Sequence, residues 1–143
     1  MTTRELKQLL DKSRVLQGRY VLLCDEIERF RAVLFAAKPM SYNSTGGKSE
    51  HNGNSTEVAY ARLADYDIER NKLLHTWLDA RDRTLSIISR LDTEIEKEIF
   101  KRRYINGEKW KQIADNMNYS RQHINRIHGN ALQKMCLNVT LFL

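Results

Sequence analysis

Breakers of regular structure are scarce in this 143-residue chain, which has one proline and six glycines. Sheets joined by tight turns need many such residues, so a sandwich or a barrel is not expected. The two cysteines, Cys24 and Cys136, lie far apart and in no metal-ligand spacing, as expected in a reducing cytoplasm. No stretch approaches the ~18 consecutive apolar residues of a membrane span, and the polar N-terminus lacks the apolar core of a signal peptide. We therefore expect a cytoplasmic protein without a membrane partner.

Acidic side chains are rare in the last third of the chain. The net charge is +6, from 24 Lys and Arg against 18 Asp and Glu. Residues 100–143 hold eight basic and only two acidic side chains, which accounts for the whole net charge. A neutral body with a basic C-terminal end indicates either a binding surface for a polyanion or simply a solvated basic surface.

Residues 3–38 contain no proline, and their apolar residues recur at steps of three and four. This spacing predicts a long helix with a coiled-coil stripe, made of Leu6, Leu9, Leu16, Tyr20, Leu23, Ile27, Phe30 and Leu34. Pro39 predicts the end of that helix. Residues 39–56 are polar and hold three of the six glycines, which predicts a flexible loop.

A second long helix is predicted over residues 57–91, with Thr56 as its N-cap. Its apolar stripe runs through Ala61, Ala64, Ile68, Leu74, Leu78, Leu85 and Ile88. The simplest way to bury both stripes is an antiparallel helical hairpin or coiled coil. Pairing between two copies of the chain would bury the same surfaces, so a homo-oligomer through the N-terminal helices stays open.

Three shorter helices are predicted after residue 91. Thr93 and Glu96 fit a capping box for the first, which runs to about Tyr104 and is ended by Asn106 and Gly107. Further helices are expected over 109–117 and, after Ser120 as N-cap, to about residue 137. The expected fold is all-α, with a two-helix hairpin over residues 1–91 and a DNA-binding helix-turn-helix domain over 92–143.

The last two predicted helices and the turn between them form a helix-turn-helix pattern. Ala114 is small where the helices must approach closely, and Asn118 tolerates the positive φ that such a turn often needs. The apolar positions of the last helix put one face on the core. The other face then carries Arg, Gln and Asn side chains, which suit base edges: Arg121, Gln122, Asn125 and Arg126.

The segment from Tyr104 to Met135 resembles the C-terminal helix-turn-helix of sigma factors, their region four. The runs Gly-Glu-Lys-Trp-Lys-Gln-Ile-Ala and Arg-Ile-His-Gly-Asn-Ala-Leu are also similar to late transcription regulators of Gram-positive phages and prophages, the ArpU and RinA types. The resemblance is strong over 91–136 and implies a regulator of phage late genes in the cytoplasm of a bacterial host.

By this resemblance, the positions that read promoter bases fall on Arg121, Gln122, Asn125 and Arg126. Sigma factors usually have Glu where this chain has Gln122, and Arg where it has Asn125, so the DNA sequence read here is expected to differ. Contacts to the DNA backbone are expected from Arg103, Lys109, Lys111, Ser120 and His123. The surface that binds RNA polymerase in sigma factors would fall around residues 93–104.

Two other classes of protein compete with the regulator. One is the DNA-recognition subunit of a packaging machine, similar to a small terminase subunit, and the other is a helical protein-interaction module. No enzyme, cofactor or metal site is expected. His51 lies in the predicted loop and His75 lies among apolar residues, while His123 and His128 share a helix with no carboxylate or cysteine at a ligand spacing.

Overall fold

The computed structural model describes the backbone of residues 1–36 and 50–139 and the side chains of 1–36 and 55–138. Within these ranges the chain is all-α and contains no strand, which confirms the predicted fold class. The helices are α1 (Thr3–Ala36), α2 (Glu50–Ile88), α3 (Glu94–Phe100), α4 (Trp110–Met117) and α5 (Arg121–Val139), with a π-helical turn at Lys101–Ile105. The predicted stop at Pro39, the predicted loop over 39–49 and the C-terminal residues 140–143 lie outside the described residues.

The apolar stripe predicted on α1 is confirmed. Leu6, Leu16, Leu23 and Ile27 are buried, and the four other members are half-buried. The spacing of three and four residues placed these side chains on one side of the helix, which is the side that packs.

Two predictions about α2 are wrong. The helix begins at Glu50 and ends at Ile88, so residues 50–56 are helical and Thr56 is not its N-cap; once a helix exists, each added residue gains a hydrogen bond. The predicted stripe is wrong at four residues, Ala61, Ala64, Ile68 and Leu78, which are exposed. Ala80 and Thr84 are buried instead. Apolar residues lie on several faces of α2, and periodicity alone did not identify the packed one.

The described chain forms two compact units. One comprises residues 18–75, and the other combines residues 1–17 with 76–143. In the first, the ring of Phe30 packs edge-on against that of Tyr66 at 5.5 Å, and the Tyr66 hydroxyl donates to Glu26 at 3.0 Å. The domain boundary expected between residues 91 and 92 concerns independent folding and stays a prediction.

The second unit has a continuous apolar core. Residues from α1, the end of α2 and all later helices contribute to it. Leu6 and Leu10 of α1 are fully buried there, as are Tyr104 and Ile124. The start of α1 is therefore a structural part of the unit that holds the helix-turn-helix.

The capping box predicted at the start of α3 is confirmed. Glu96 N donates to Thr93 Oγ1 at 3.2 Å, and Thr93 N donates to the Glu96 carboxylate at 3.4 Å. The backbone then passes through the π-helical turn to Gly107, whose φ of 72° favours glycine. Among the described residues, no helix is both long and apolar enough to cross a membrane.

Candidate nucleic-acid interface

The predicted helix-turn-helix is formed by α4, a short turn and α5. Asn118 ends α4 with φ 56° and ψ 38°, the left-handed conformation predicted for it. Tyr119 N donates to the Ala114 carbonyl at 3.0 Å, which closes the turn. His123 N donates to Ser120 Oγ at 3.1 Å, which confirms Ser120 as the N-cap of α5.

The inner faces of α4 and α5 lie in the core. Ile113 and Ile124 are fully buried, and Ala114 is buried where the sequence predicts a close approach of the two helices. Ala131 and Met135 continue the buried face along α5. This packing fixes which side of α5 points away from the core.

The four predicted base-contacting residues lie together on that outward side. Arg121, Gln122, Asn125 and Arg126 are all exposed, in the first two turns of α5. These four residues are separated by one, three, four or five positions, so they form one patch on the helix. Two guanidinium groups and two amides there can donate to and accept from base edges in a groove.

Lys109 and Lys111, two of the predicted backbone contacts, are exposed at the start of α4. Lys109 N donates to Gln112 Oε1 at 2.9 Å, so the backbone at this helix start is held by a side chain. In a helix-turn-helix the first helix crosses the phosphate backbone. Both ammonium groups are free to move toward an anion on that side.

Arg103, also predicted as a backbone contact, is placed differently. It is half-buried, with its guanidinium carbon 4.7 Å from the centre of the Trp110 ring, and its Nη1 donates to the Glu108 carbonyl at 3.1 Å. Burial lowers the pKa of this guanidinium. Its role toward DNA stays a prediction, while its packing on Trp110 is structural.

The two remaining predicted backbone contacts lie at the turn before α5. Ser120 is exposed, and its hydroxyl oxygen accepts the capping hydrogen bond while the hydroxyl proton remains available. The His123 ring is half-buried and meets the Tyr119 ring edge-on at 5.0 Å. This contact limits the directions in which the imidazole can reach a phosphate.

An ion-pair network that the sequence did not reveal fixes the segment before α4. Arg102 Nη1 lies 3.2 Å from Glu108 Oε1, and Arg102 Nε donates to Glu98 Oε1 at 3.1 Å. Asn116 Nδ2 donates to the same Glu108 oxygen at 3.1 Å. Hydrogen bonding to Glu98 is the main reason that the pKa of Arg102 is raised. The network ties the π-helical turn to the last turn of α4.

A buried polar pair lies behind α5. The hydroxyl of Tyr104 and Nε2 of His128 are 2.6 Å apart, and the Trp110 ring meets the His128 ring edge-on at 4.6 Å. Burial, followed by the nearby charges of Lys7 and Arg103, lowers the pKa of His128 to about 4. His128 is therefore a neutral core residue rather than a DNA contact.

No curated protein and no solved structure matches the chain. A family model does match part of it, over residues 87–135, from the last turn of α2 to the second half of α5. That range contains the α4–turn–α5 unit and all four exposed side chains at the start of α5. This part of the chain is therefore similar to the family described as sigma-70, region 4, as the resemblance over residues 91–136 predicted.

Proposed function

We propose that the chain is a sequence-specific DNA-binding transcription regulator that acts on late genes of a phage or prophage. The observation that carries this proposal is the joint exposure of Arg121, Gln122, Asn125 and Arg126 on α5. These side chains need no rearrangement of the core to enter a major groove.

In the proposed complex, the hydrogen-bonding groups of each side chain decide whether it contacts bases or phosphates. Side chains that can form paired hydrogen bonds distinguish bases, whereas ammonium groups interact with phosphates of any sequence. In our proposal Gln122 and Asn125 discriminate between bases, together with Arg121 and Arg126. Lys109 and Lys111, with Ser120 and His123 beside them, hold the duplex in register.

The proposal includes a contact with RNA polymerase through the surface of α3. Glu94, Ile95 and Glu98 are exposed there, which offers acidic groups around one apolar side chain. The similarity to sigma-70, region 4 supports this surface, because the matched residues include all of α3. The phage context is supported by the motif resemblance between Gly107 and Leu132.

Enrichment of genomic DNA fragments tests the proposal directly. The purified full-length chain is mixed with sheared DNA of a lysogenic host, and the bound fragments are sequenced. A common motif upstream of phage structural genes is the expected result. Asn125→Ala should remove part of that motif, whereas Asn138→Ala, at an exposed position more than three turns further along α5, should not.

Fragments without a shared motif would contradict sequence-specific regulation. A motif found only beside a packaging start site, with a ring-shaped assembly measured by light scattering, would favour the packaging subunit. Retention of core RNA polymerase by the immobilised chain, lost in Ile95→Asp, is the expected result for the polymerase contact.

A further inference from the structure

Glu108 directly precedes the N-cap of α4 and is held from several sides. Its backbone N donates to the Arg102 carbonyl at 2.9 Å, and its own carbonyl accepts from Arg103 Nη1 at 3.1 Å. Arg102 Nη1 donates to both oxygens of the Glu108 carboxylate, at 3.2 and 3.3 Å. Asn116 Nδ2 donates to one of the same two oxygens at 3.1 Å. The position of Glu108 is therefore fixed through both its backbone and its side chain.

The contacts among Arg102, Glu108 and Asn116, which we call the Glu108 clamp, link the two ends of α4. Glu108 lies just before the helix, and Asn116 lies in its last turn. The helix has only eight residues, so a link between its ends limits how far it can tilt. Arg102 Nε also donates to Glu98 Oε1 of α3 at 3.1 Å, which ties the clamp to the preceding helix. Hydrogen bonds between a guanidinium and a carboxylate are stronger and more directional than neutral ones.

Lys109 and Lys111 are the exposed cations next to the clamp. Lys109 follows Glu108 directly, and its backbone N donates to Gln112 Oε1 at 2.9 Å. The backbone that carries the two lysines is thus held on both sides. Their ammonium groups are confined to a smaller volume than they would have on an unattached helix start, and this reduces the entropy lost when they bind.

We propose that Glu108 is a positioning residue for DNA binding, because the clamp holds the start of α4 so that Lys109 and Lys111 contact the phosphate backbone together. The proposal rests on the proposed function of α4 and α5. By charge alone, an acidic side chain beside these lysines would repel the duplex. The favourable effect of Glu108 therefore acts through its partners within the protein.

The sign of the change in affinity separates positioning from simple electrostatics. Asp115→Ala removes an exposed acidic group of the same helix and should tighten binding to DNA of any sequence. Glu108→Ala removes the same charge but should bind about three- to tenfold more weakly, the cost of ordering one long side chain on binding. Glu108→Gln, which is also neutral but keeps an acceptor for Asn116, should bind more tightly than Glu108→Ala.

Titration of the full-length chain with a fluorescent random-sequence duplex, at several potassium chloride concentrations, tests the proposal. Asn116→Ala and Arg102→Lys break the clamp without changing the net charge. The slope of log K against log salt should nevertheless become shallower, by up to about 0.9 for each phosphate contact that is lost. In a Lys111→Gln background, Asn116→Ala should have a smaller effect, because one contact on which it acts is already gone. Asn138→Ala, an exposed amide at the far end of α5, should leave the slope unchanged.

Lys111→Gln separates failure of this inference from failure of the proposed function. If Lys111→Gln makes the slope shallower while Asn116→Ala and Arg102→Lys do not, the positioning role of Glu108 is refuted and the α4–α5 interface stands. If the wild-type chain shows no salt-dependent binding, both proposals are refuted. Tighter binding by Glu108→Ala, as expected for Asp115→Ala, also overturns the positioning role. Melting curves set a titration temperature at which every variant is folded, so a loss of stability alone does not change the slope.

Discussion

The Tyr104 hydroxyl and the Nε2 atom of His128 form a 2.6 Å hydrogen bond between two side chains buried on the core side of α5. The lowered pKa of His128 makes its ring neutral at pH 7. A neutral ring has one nitrogen that donates and one that accepts, so the direction of this hydrogen bond is set by the tautomer of His128. The pair links the π-helical turn to α5 through a group that can titrate.

The stability of the folded chain should fall as the solution is acidified, because His128 becomes protonated. The pKa of His128 is lowered from 6.5 to about 4 on folding, so between these values the unfolded chain binds more protons. The free energy of unfolding should therefore decrease by up to about 3 kcal/mol as the pH falls from above 6.5 to below 4. Urea denaturation at a series of pH values measures this loss.

His128→Gln is the matched control for the pH effect. Glutamine has an acceptor for the Tyr104 hydroxyl but cannot titrate. The variant should be less stable at pH 7 and should lose much less stability between pH 6.5 and 4.5. An equal loss in both proteins would assign the acid sensitivity to carboxylates elsewhere.

Tyr104→Phe should destabilise the chain although it removes a single oxygen. The deletion leaves Nε2 of His128 buried without its partner, which costs about 1–3 kcal/mol. Circular dichroism melting of the single and double variants of Tyr104 and His128 measures their coupling. Additive effects in the double variant would show that the hydrogen bond contributes nothing beyond packing.

Local signals in the sequence predicted the local structure well. The Thr93–Glu96 capping box, the left-handed Asn118 and the Ser120 cap each depend on residues within a few positions of one another. The exposed side of α5 followed from helical periodicity for the same reason. These features need only backbone hydrogen-bonding rules and the period of a helix.

Contacts between distant segments could not be predicted in this way. The apolar stripe on α1 was identified, but its partners were not, because Leu6 packs with residues of α3 to α5 that are far away in sequence. The packing of Arg103 on Trp110 was not predicted either, because a basic residue in the sequence does not show which ring it lies on; its contact with the DNA backbone stays a prediction. The packed side of α2 was predicted correctly at Ile88 but wrongly over Ala61, Ala64, Ile68 and Leu78, since apolar residues lie on several faces of that helix.

Leu6→Ala should destabilise the unit that contains the helix-turn-helix. The side chain is fully buried, and truncating a buried leucine costs about 2–5 kcal/mol through lost transfer energy and the cavity left behind. Hydrogen exchange of α4 and α5 amides should accelerate in this variant. Leu22→Ala, an exposed leucine of the same helix, should change neither quantity. Unchanged exchange in Leu6→Ala would make the start of α1 dispensable for the unit that holds the helix-turn-helix.

Asn118 should tolerate glycine better than alanine. Its φ of 56° costs an ordinary residue roughly 1–2 kcal/mol, and glycine avoids that cost. Asn118→Gly should therefore match or slightly exceed the wild-type melting temperature, and Asn118→Ala should lie below it. The reverse order would mean that the asparagine side chain, rather than its backbone, holds the turn.

Substitutions should distinguish the side chains that contact bases from those that contact phosphates in the proposed interface. Gln122→Ala and Asn125→Ala should each cost roughly 1–3 kcal/mol on the preferred DNA site and much less on random DNA. Lys111→Ala should weaken both about equally and reduce the salt slope by about one unit. All three side chains are exposed, so no variant should melt earlier than the wild type.

Anisotropy titrations with the enriched site and a random duplex, at several salt concentrations, measure both quantities. Asn138→Ala is the control for the loss of an exposed amide on α5, because it lies more than three turns beyond the proposed base-contacting residues. If Gln122→Ala and Asn125→Ala lose equal affinity for both duplexes, the proposal that α5 lies in the groove is wrong, even if Lys111→Ala behaves as expected. Because these amides are exposed, a change in DNA sequence preference without a change in melting temperature reports on base contact.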